Sequence, residues 1–470
     1  MRGIALLALA VIIGVVGIVQ TGPTAAPPPD FGSTDTTDGD GAAASPSVWY
    51  CPWVEAGDVA DTDVVVASDP SADVSLTLLD PISNTEPTVF DFDIVGPGAT
   101  AIDVGGVVRR GESPATVEVS DGPAAVATLQ HADGFLAGDR CAVSVPKVWY
   151  LTGGSTKTGT YTEIRLFNPF ADNAEVTVTA YSEFNLDLVA DLESIDVAGR
   201  SWTTIDLEPF LPFRDELAFT VETASGLVIP ALIRSDDRGV AMWPGAAPSQ
   251  TWDFPIVTPG RLEPFLAVMS AGDDEVTVTV DVITENGPIV AAREIVIDGS
   301  APALIPLSDI AAPPYGARVR ASSPIAASVV ATVPVPDEDD AGEPGDGQGT
   351  SQPSDETATT EFIRGLAGMV GLRESSTTWM VPLDTLLDAS TIVWVMNPAD
   401  TPTTATLLPL SDTDGDPAVV TIPAGSTIGI EVDVGIGISG YSVRADSPVT
   451  VAWEISGERG VALTAGIAGL

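Results

Sequence analysis

Few residues in this chain are equipped to do chemistry. His131 is the only histidine among 470 residues. A Ser-His-Asp or Cys-His arrangement therefore has a single possible base, and a zinc site lacks ligands. His131 stands beside Asp133-Gly134, a turn signal, and reads as a surface residue. Cys51 and Cys141 are the two cysteines. Their separation is not the C-x-x-C of redox or metal sites. One lies in the opening strand of one copy of a repeat and the other just before that copy ends. Such strands can be neighbours in a sandwich, which predicts a disulfide, with a pair of buried thiols as the alternative. Asp412-Thr413-Asp414-Gly415-Asp416 sets three carboxylates around a glycine, the oxygen chemistry that calcium takes, but without the distal bidentate glutamate of an EF-hand. Asp412, Asp414 and Asp416 are thus candidate Ca2+ ligands, an ordinary hairpin turn being the alternative. Two carboxylates at a set separation suffice for glycoside hydrolysis. Among 66 acidic residues, however, close pairs arise by chance, and aromatic residues are only 6%. Neither a phosphate-binding loop nor a dinucleotide fingerprint occurs. The expectation is a protein that is not an enzyme, with no catalytic residues.

The charge balance narrows the partners. There are 66 acidic against 19 basic residues, a net of −47, and Lys147 and Lys157 are the only lysines. A field of that sign repels nucleic acid and anionic lipid surfaces. It keeps the protein soluble; attraction of a cationic partner or divalent ions is the alternative. At 44% hydrophobic residues the chain is too apolar to remain disordered.

The N-terminus reads as an export signal. Arg2 precedes an apolar run over residues 4–19, generous for a signal-peptide core and slightly short for a spanning helix. Residues 1–20 are read as an uncleaved signal anchor, a cleaved signal peptide being the alternative. Residues 21–47, rich in Pro, Thr, Asp and Gly, form a tether. Arg2 then stays inside and the acidic body outside. A disulfide persists in that compartment, and one closing nearly a whole module contributes about 2–4 kcal/mol.

The elements that must position these residues come in four copies. Trp49, Trp149, Trp252 and Trp379 each open a stretch of about one hundred residues, the size of an ordinary domain. W-x-x-P recurs at 49–52, 252–255 and 379–382, and R-G-[VL]-A at 238–241, 364–367 and 459–462. Short alternating runs such as residues 175–181 read as strands with one buried face. They are punctuated by Asn168-Pro169, Asn397-Pro398 and, in the first copy, Asp69-Pro70. The related segments 319–325 and 443–449, each with Ser-Pro, read as hairpin turns. About six or seven strands per copy predict a β-sandwich. The fold class is all-β: four tandem sandwich domains of immunoglobulin size after an N-terminal hydrophobic helix. The domains span 48–146, 147–250, 251–376 and 377–470, the third carrying a disordered acidic insert at 336–361. A β-propeller is the rival, disfavoured because the copies match at the full period and not at half of it. The recurring tryptophans are read as core or junction packing before sugar binding, and the R-G-[VL]-A arginines as partners for acids across a junction.

The W-Y-C-P opening at 49–52, the repeated W…NP modules, the N-terminal anchor and the acidic body together resemble a family of uncharacterised exported proteins of actinobacteria. The resemblance spans residues 45–470. It implies a cell-envelope address and brings no catalytic residues. The expected function is a non-enzymatic, extracytoplasmic scaffold or protein-interaction module with an envelope protein or glycan as partner. A calcium-dependent or carbohydrate-binding adhesive module is the alternative.

Overall fold

The computed structural model describes residues 47–470, except residues 58–59, 70, 80–86, 96, 109–110, 121, 133, 334–364, 384–388, 412–415, 433, 435–437 and 470. The anchor, nearly all of the tether and the acidic insert lie outside the described residues. Ala44–Leu470 is one compact unit. Its described elements are strands, apart from the short 3-10 turn Ala190–Leu192. No helix among the described residues is long and apolar enough to cross a membrane.

One pairing scheme runs through four blocks of strands. In the second block Val148–Gly154, Leu217–Ser225, Ala174–Ser182 and Asn185–Asp187 lie side by side in one sheet. Ser201–Asp206, Thr160–Asn168, Ile229–Asp236 and Gly239–Pro244 form the other. Leaving aside the three-residue Ile195–Val197, which also pairs with Ala174–Ser182, and counting the other eight along the chain, the orders are 1-6-3-4 and 5-2-7-8, all antiparallel. The first block repeats them with Ser47–Cys51, Ala115–Ser120, Ala72–Leu78 and Thr88–Ile94 against Gly98–Asp103, Asp61–Ser68, Ala124–Ala132 and Phe135–Arg140. There Val74, Leu76 and Val117 from one sheet and Val64, Val66 and Val126 from the other share one apolar cluster. In strands such as Ala72–Leu78 and Ala174–Ser182 the alternation of polar and apolar residues turns one face inward, whereas Asp61–Ser68 and Ala124–Ala132 are buried on both faces.

In the third and fourth blocks strands six and seven are one piece. The first half of Gly316–Thr332 pairs with Ser249–Phe254 and Val276–Thr284, its second half with Glu263–Ser270 and Leu366–Val370. Ile438–Gly457 does the same in the fourth block, between Ser376–Pro382 and Thr403–Ser411 on one side and Ala389–Met396 and Gly460–Ala465 on the other. This corrects the hairpin reading of Ser323-Pro324 and Ser447-Pro448. Proline lacks a ladder donor, so it suits the point where a strand leaves one sheet and enters the other, as well as a reversal. In the second block the same crossing is a break, with Gly226 at φ +69°.

The tryptophans explain themselves at this crossing. The indole N–H groups of Trp149, Trp252 and Trp379 donate to the carbonyls of Val228, Ile325 and Val449, at 3.1, 2.9 and 2.9 Å. Each acceptor stands where the seventh strand begins, so a buried ring also satisfies a carbonyl left free by the change of sheet. Trp49 departs from the pattern and donates to the Ser47 hydroxyl at 3.3 Å. Asn168 and Asn397 behave alike. Each side-chain amide donates to backbone carbonyls beyond its turn, and each side-chain oxygen accepts the amide two residues on, at 3.0 Å. The register places Ser68, not Asp69, at that position in the first block, and its hydroxyl donates to the Pro123 carbonyl at 2.9 Å.

Each block has an eighth strand that the strand count from sequence missed, because R-G-[VL]-A reads as a closing turn. The glycine starts the strand in the second and fourth blocks and immediately precedes it in the third, and the alanine is buried in it, at Ala241, Ala367 and Ala462, with Ala137 in the first block. These four edge strands contact one another in a closed cycle. Phe135–Arg140 packs on Gly239–Pro244, that on Leu366–Val370, that on Gly460–Ala465, and the last returns to the first. Glycines allow the approach: a β-carbon on Gly368 would stand 2.2 Å from the Trp243 ring. One apolar cluster accordingly contains residues of all four blocks.

Candidate functional site at the block junctions

A cluster of ionisable side chains lies between the first two blocks. Thr160–Asn168 alternates, and Glu163 and Arg165 fall on the face turned to the first block. Arg165 is 1% exposed at its side chain and pairs with Glu112 Oε1. Glu112 Oε2 accepts the Trp202 indole N–H at 2.7 Å and the Thr204 hydroxyl at 3.1 Å. The Arg165 guanidinium carbon lies 4.2 Å from the Trp53 ring centre, a cation–π contact. Trp53 Nε1 donates to Gln130 Oε1 at 2.6 Å, and Gln130 Nε2 to Glu55 Oε2 at 3.2 Å.

Burial raises the Glu55 and Glu163 carboxyls, while Arg165 draws both down and Glu112 pushes both up. Burial lowers Arg165 against the opposing pull of Glu112, Glu55 and Glu163. Raised carboxyls beside tryptophans have the composition of an acid–base site. Here both oxygens of Glu112 are already engaged, and Glu55 is held by Gln130. The network ties two blocks through a buried cation. Arg165 Nη1 is buried without a partner among the described residues.

The other junctions have their own polar contacts. Between the second and third blocks the Thr152 and Ser328 hydroxyls meet at 2.8 Å. Between the third and fourth, buried Glu454 accepts the Gly260 amide at 2.8 Å and the Trp394 indole at 3.1 Å, and its carboxyl is raised by burial. Arg318 is bidentate on Asp253 and also reaches the Pro398 carbonyl at 3.1 Å. Between the fourth and first, Arg444 pairs with Asp69. Met380 and Ile467 of the fourth block join the apolar cluster of the first.

Where the eighth strands converge, a narrow cavity is lined by Asp139, Arg140, Trp243, Met369 and Thr464, among others. Burial holds the Asp139 carboxyl well above its ordinary value, with Arg140 opposing. Burial also lowers the Arg140 guanidinium to about 10, Asp139 opposing and Arg373 adding to the fall. These residues escaped the sequence reading. Asp139-Arg140 reads as an exposed end of strand until the other three blocks enclose it. Arg165, inside the apolar run Ile164 to Phe167, was the visible signal.

The residues singled out from sequence fare differently. Cys51 and Cys141 form a disulfide, and Tyr50 and Ala142 beside them exchange backbone hydrogen bonds of 2.8 Å. The same return of the chain to its opening strand recurs at Tyr150–Ala246 and Asp253–Leu372 without cysteines. Asp412 and Asp414 lie outside the described residues, and Asp416 is exposed. No three His, Cys, Asp or Glu among the described residues are grouped as a metal requires. His131 is not a free surface residue. It ends the strand Ala124–Ala132 with Nε2 3.0 Å from Asp63 Oδ2 and Nδ1 3.4 Å from Arg459 Nη1 of the fourth block. Of the R-G-[VL]-A arginines, Arg459 thus reaches across a junction, Arg238 pairs with Asp236 and Asp237 in its own loop, and Arg364 lies outside the described residues.

A family model described as a family of unknown function (DUF5719) matches residues 119–346. The match begins in the sixth strand of the first block, takes in the whole second block and continues beyond the last described strand before the insert. No curated protein matches the chain.

Proposed function

We propose that this protein is an extracytoplasmic scaffold: four β-sandwich domains closed into one platform that presents interaction surfaces, held at the membrane by the apolar segment at residues 4–19. The observation that carries this reading is the closed cycle of eighth strands, supported by a polar contact set at every junction. Such a platform places the loops of four domains in fixed relation to one another. The Cys51–Cys141 disulfide suits an oxidising compartment outside the cytoplasm. The strongly acidic surface favours cationic partners over nucleic acid and anionic lipid.

The test has two readouts on the full-length chain. Fractionation of intact cells should find it with the membrane and open to externally added protease. The purified chain should unfold in one cooperative transition, because the junctions couple the blocks. A cytosolic location, or four separate transitions, would overturn the reading.

A further inference from the structure

The second block exposes phenylalanines and leucines on two adjoining segments, where the corresponding strands of the third and fourth blocks expose the β-branched Ile289, Val290 and Val419. Phe184, Leu188 and Phe213 are 66%, 82% and 73% exposed, and Leu186 and Phe210 are exposed beside them in sequence. Phe184 occupies the two-residue turn that joins Ala174–Ser182 to Asn185–Asp187. The corresponding turn of the third block is Glu285-Asn286, and most of the connection after Thr403–Ser411 in the fourth lies outside the described residues. Phe210 and Phe213 stand on the connection after Ser201–Asp206.

The two segments are tied to each other. Arg214 Nη2 and Nε donate to Asp187 at 2.9 and 3.2 Å, and the amides of Asp215 and Glu216 donate to Glu183 at 3.1 and 3.3 Å. Arg214 also lies 5.1 Å from the Phe184 ring centre. Asn185 and Phe213 hold φ of +74° and +60°, a conformation that a bulky residue such as phenylalanine rarely adopts. The rings therefore stay outward on a braced surface, where exposed apolar residues cluster as they do at interaction sites.

Charge identifies the occupant. Glu183, Asp187, Asp191 and Glu193 lie on one segment, and Asp206, Glu208 and Asp215 on the other, so acids flank these side chains along the chain. Of the nearby cations, Arg214 is spent on Asp187, and Lys157 follows Thr156, whose backbone bonds Phe213 and Arg214, so acids outnumber bases on these segments. An anionic bilayer is repelled by such a rim, whereas a segment offering both apolar and basic side chains satisfies rim and centre together. We propose that this face docks a protein segment carrying large apolar side chains interspersed with lysine or arginine. The assignment rests on the interaction-scaffold reading above.

The test titrates purified full-length chain with labelled synthetic peptides of alternating Leu–Lys, Leu–Glu and Ser–Lys. The Leu–Lys peptide should bind at least about tenfold tighter than the other two, with affinity falling as salt rises. Phe184→Ser with Phe213→Ser should weaken it about tenfold or more, while Val419→Ser, an exposed apolar position in the fourth block, should leave it unchanged. A second variant, Glu208→Lys with Asp215→Lys, should shift preference toward Leu–Glu. Equal binding of Ser–Lys, or an unchanged affinity in the phenylalanine variant, would overturn the proposal. So would binding to phosphatidylcholine vesicles that the same variant abolishes, since the occupant would then be lipid. These outcomes leave the scaffold reading standing, because that reading falls only on location and cooperativity.

Discussion

Gly138 of the first block lies so close to Thr464 of the last that a β-carbon on it would stand 2.7 Å from the threonine hydroxyl and 3.6 Å from the Ala462 methyl. The two residues sit on eighth strands at opposite ends of the repeat, and their approach brings the fourth block against the first. Closure of the cycle thus depends on a side chain that is missing. Gly138→Val is expected to destabilise the chain by about 1–3 kcal/mol through overpacking. Hydrogen exchange should show protection falling in Phe135–Arg140 and Gly460–Ala465 together. A loss confined to the first of these strands would mean that the seam does not couple them.

Arg165 is the cation on which three glutamates converge. Arg165→Met leaves Glu112, Glu55 and Glu163 half-buried with no positive charge among them, and should cost about 3–5 kcal/mol, the scale for breaking a buried pair from one side. Adding Glu112→Gln should recover part of that loss, since the two residues share one network. Denaturant titration of both single variants and the double variant measures the coupling, and strict additivity would rule it out.

Asp139 makes a prediction in pH. Its carboxyl is raised in the folded protein by burial, so between the ordinary carboxylate range and the raised value the native state holds a proton that the unfolded chain has released. By linkage, the contribution of this group to stability falls as pH rises through that window. Asp139→Asn should therefore raise the melting temperature at about pH 7, and the advantage should shrink as pH falls and vanish below about pH 3, where the carboxyl is protonated in both states. A variant less stable than the parent at neutral pH would show that the ionised carboxylate is needed.

The tryptophans can be ranked by what their indole N–H satisfies. Trp252→Phe strands the buried carbonyl of Ile325 and should cost about 1–3 kcal/mol beyond the change in volume. Trp49→Phe should cost less, because its indole N–H donates to the Ser47 hydroxyl, which can turn to another partner, rather than to a fixed backbone carbonyl among the described residues. Equal losses in thermal melts would mean that ring packing alone sets the effect.

Much of the local structure was legible. The alternation at residues 175–181 falls inside Ala174–Ser182, and Asn168 and Asn397 do terminate strands. The pairing of Cys51 with Cys141 followed from their places at the first and last strands of one block. Each of these rests on neighbours in the chain or on a period of two. Ser323-Pro324 and Ser447-Pro448 were misjudged because a proline without a ladder donor serves a sheet crossing as well as a turn. The eighth strand was missed for a related reason: it is short, begins at or just after a glycine, and is buried on all sides only because three other strands surround it.

By itself the sequence determined a fourfold all-β chain, its acidic surface and the cysteines that close the first block, since composition, period and turn chemistry are properties of the chain alone. The closed cycle, the burial of Arg165 and Asp139, and the bracing of Phe184 beside Phe213 were decided by tertiary structure. Those depend on which faces meet across long sequence separations, and a glycine or an arginine carries no local mark of what will be packed against it.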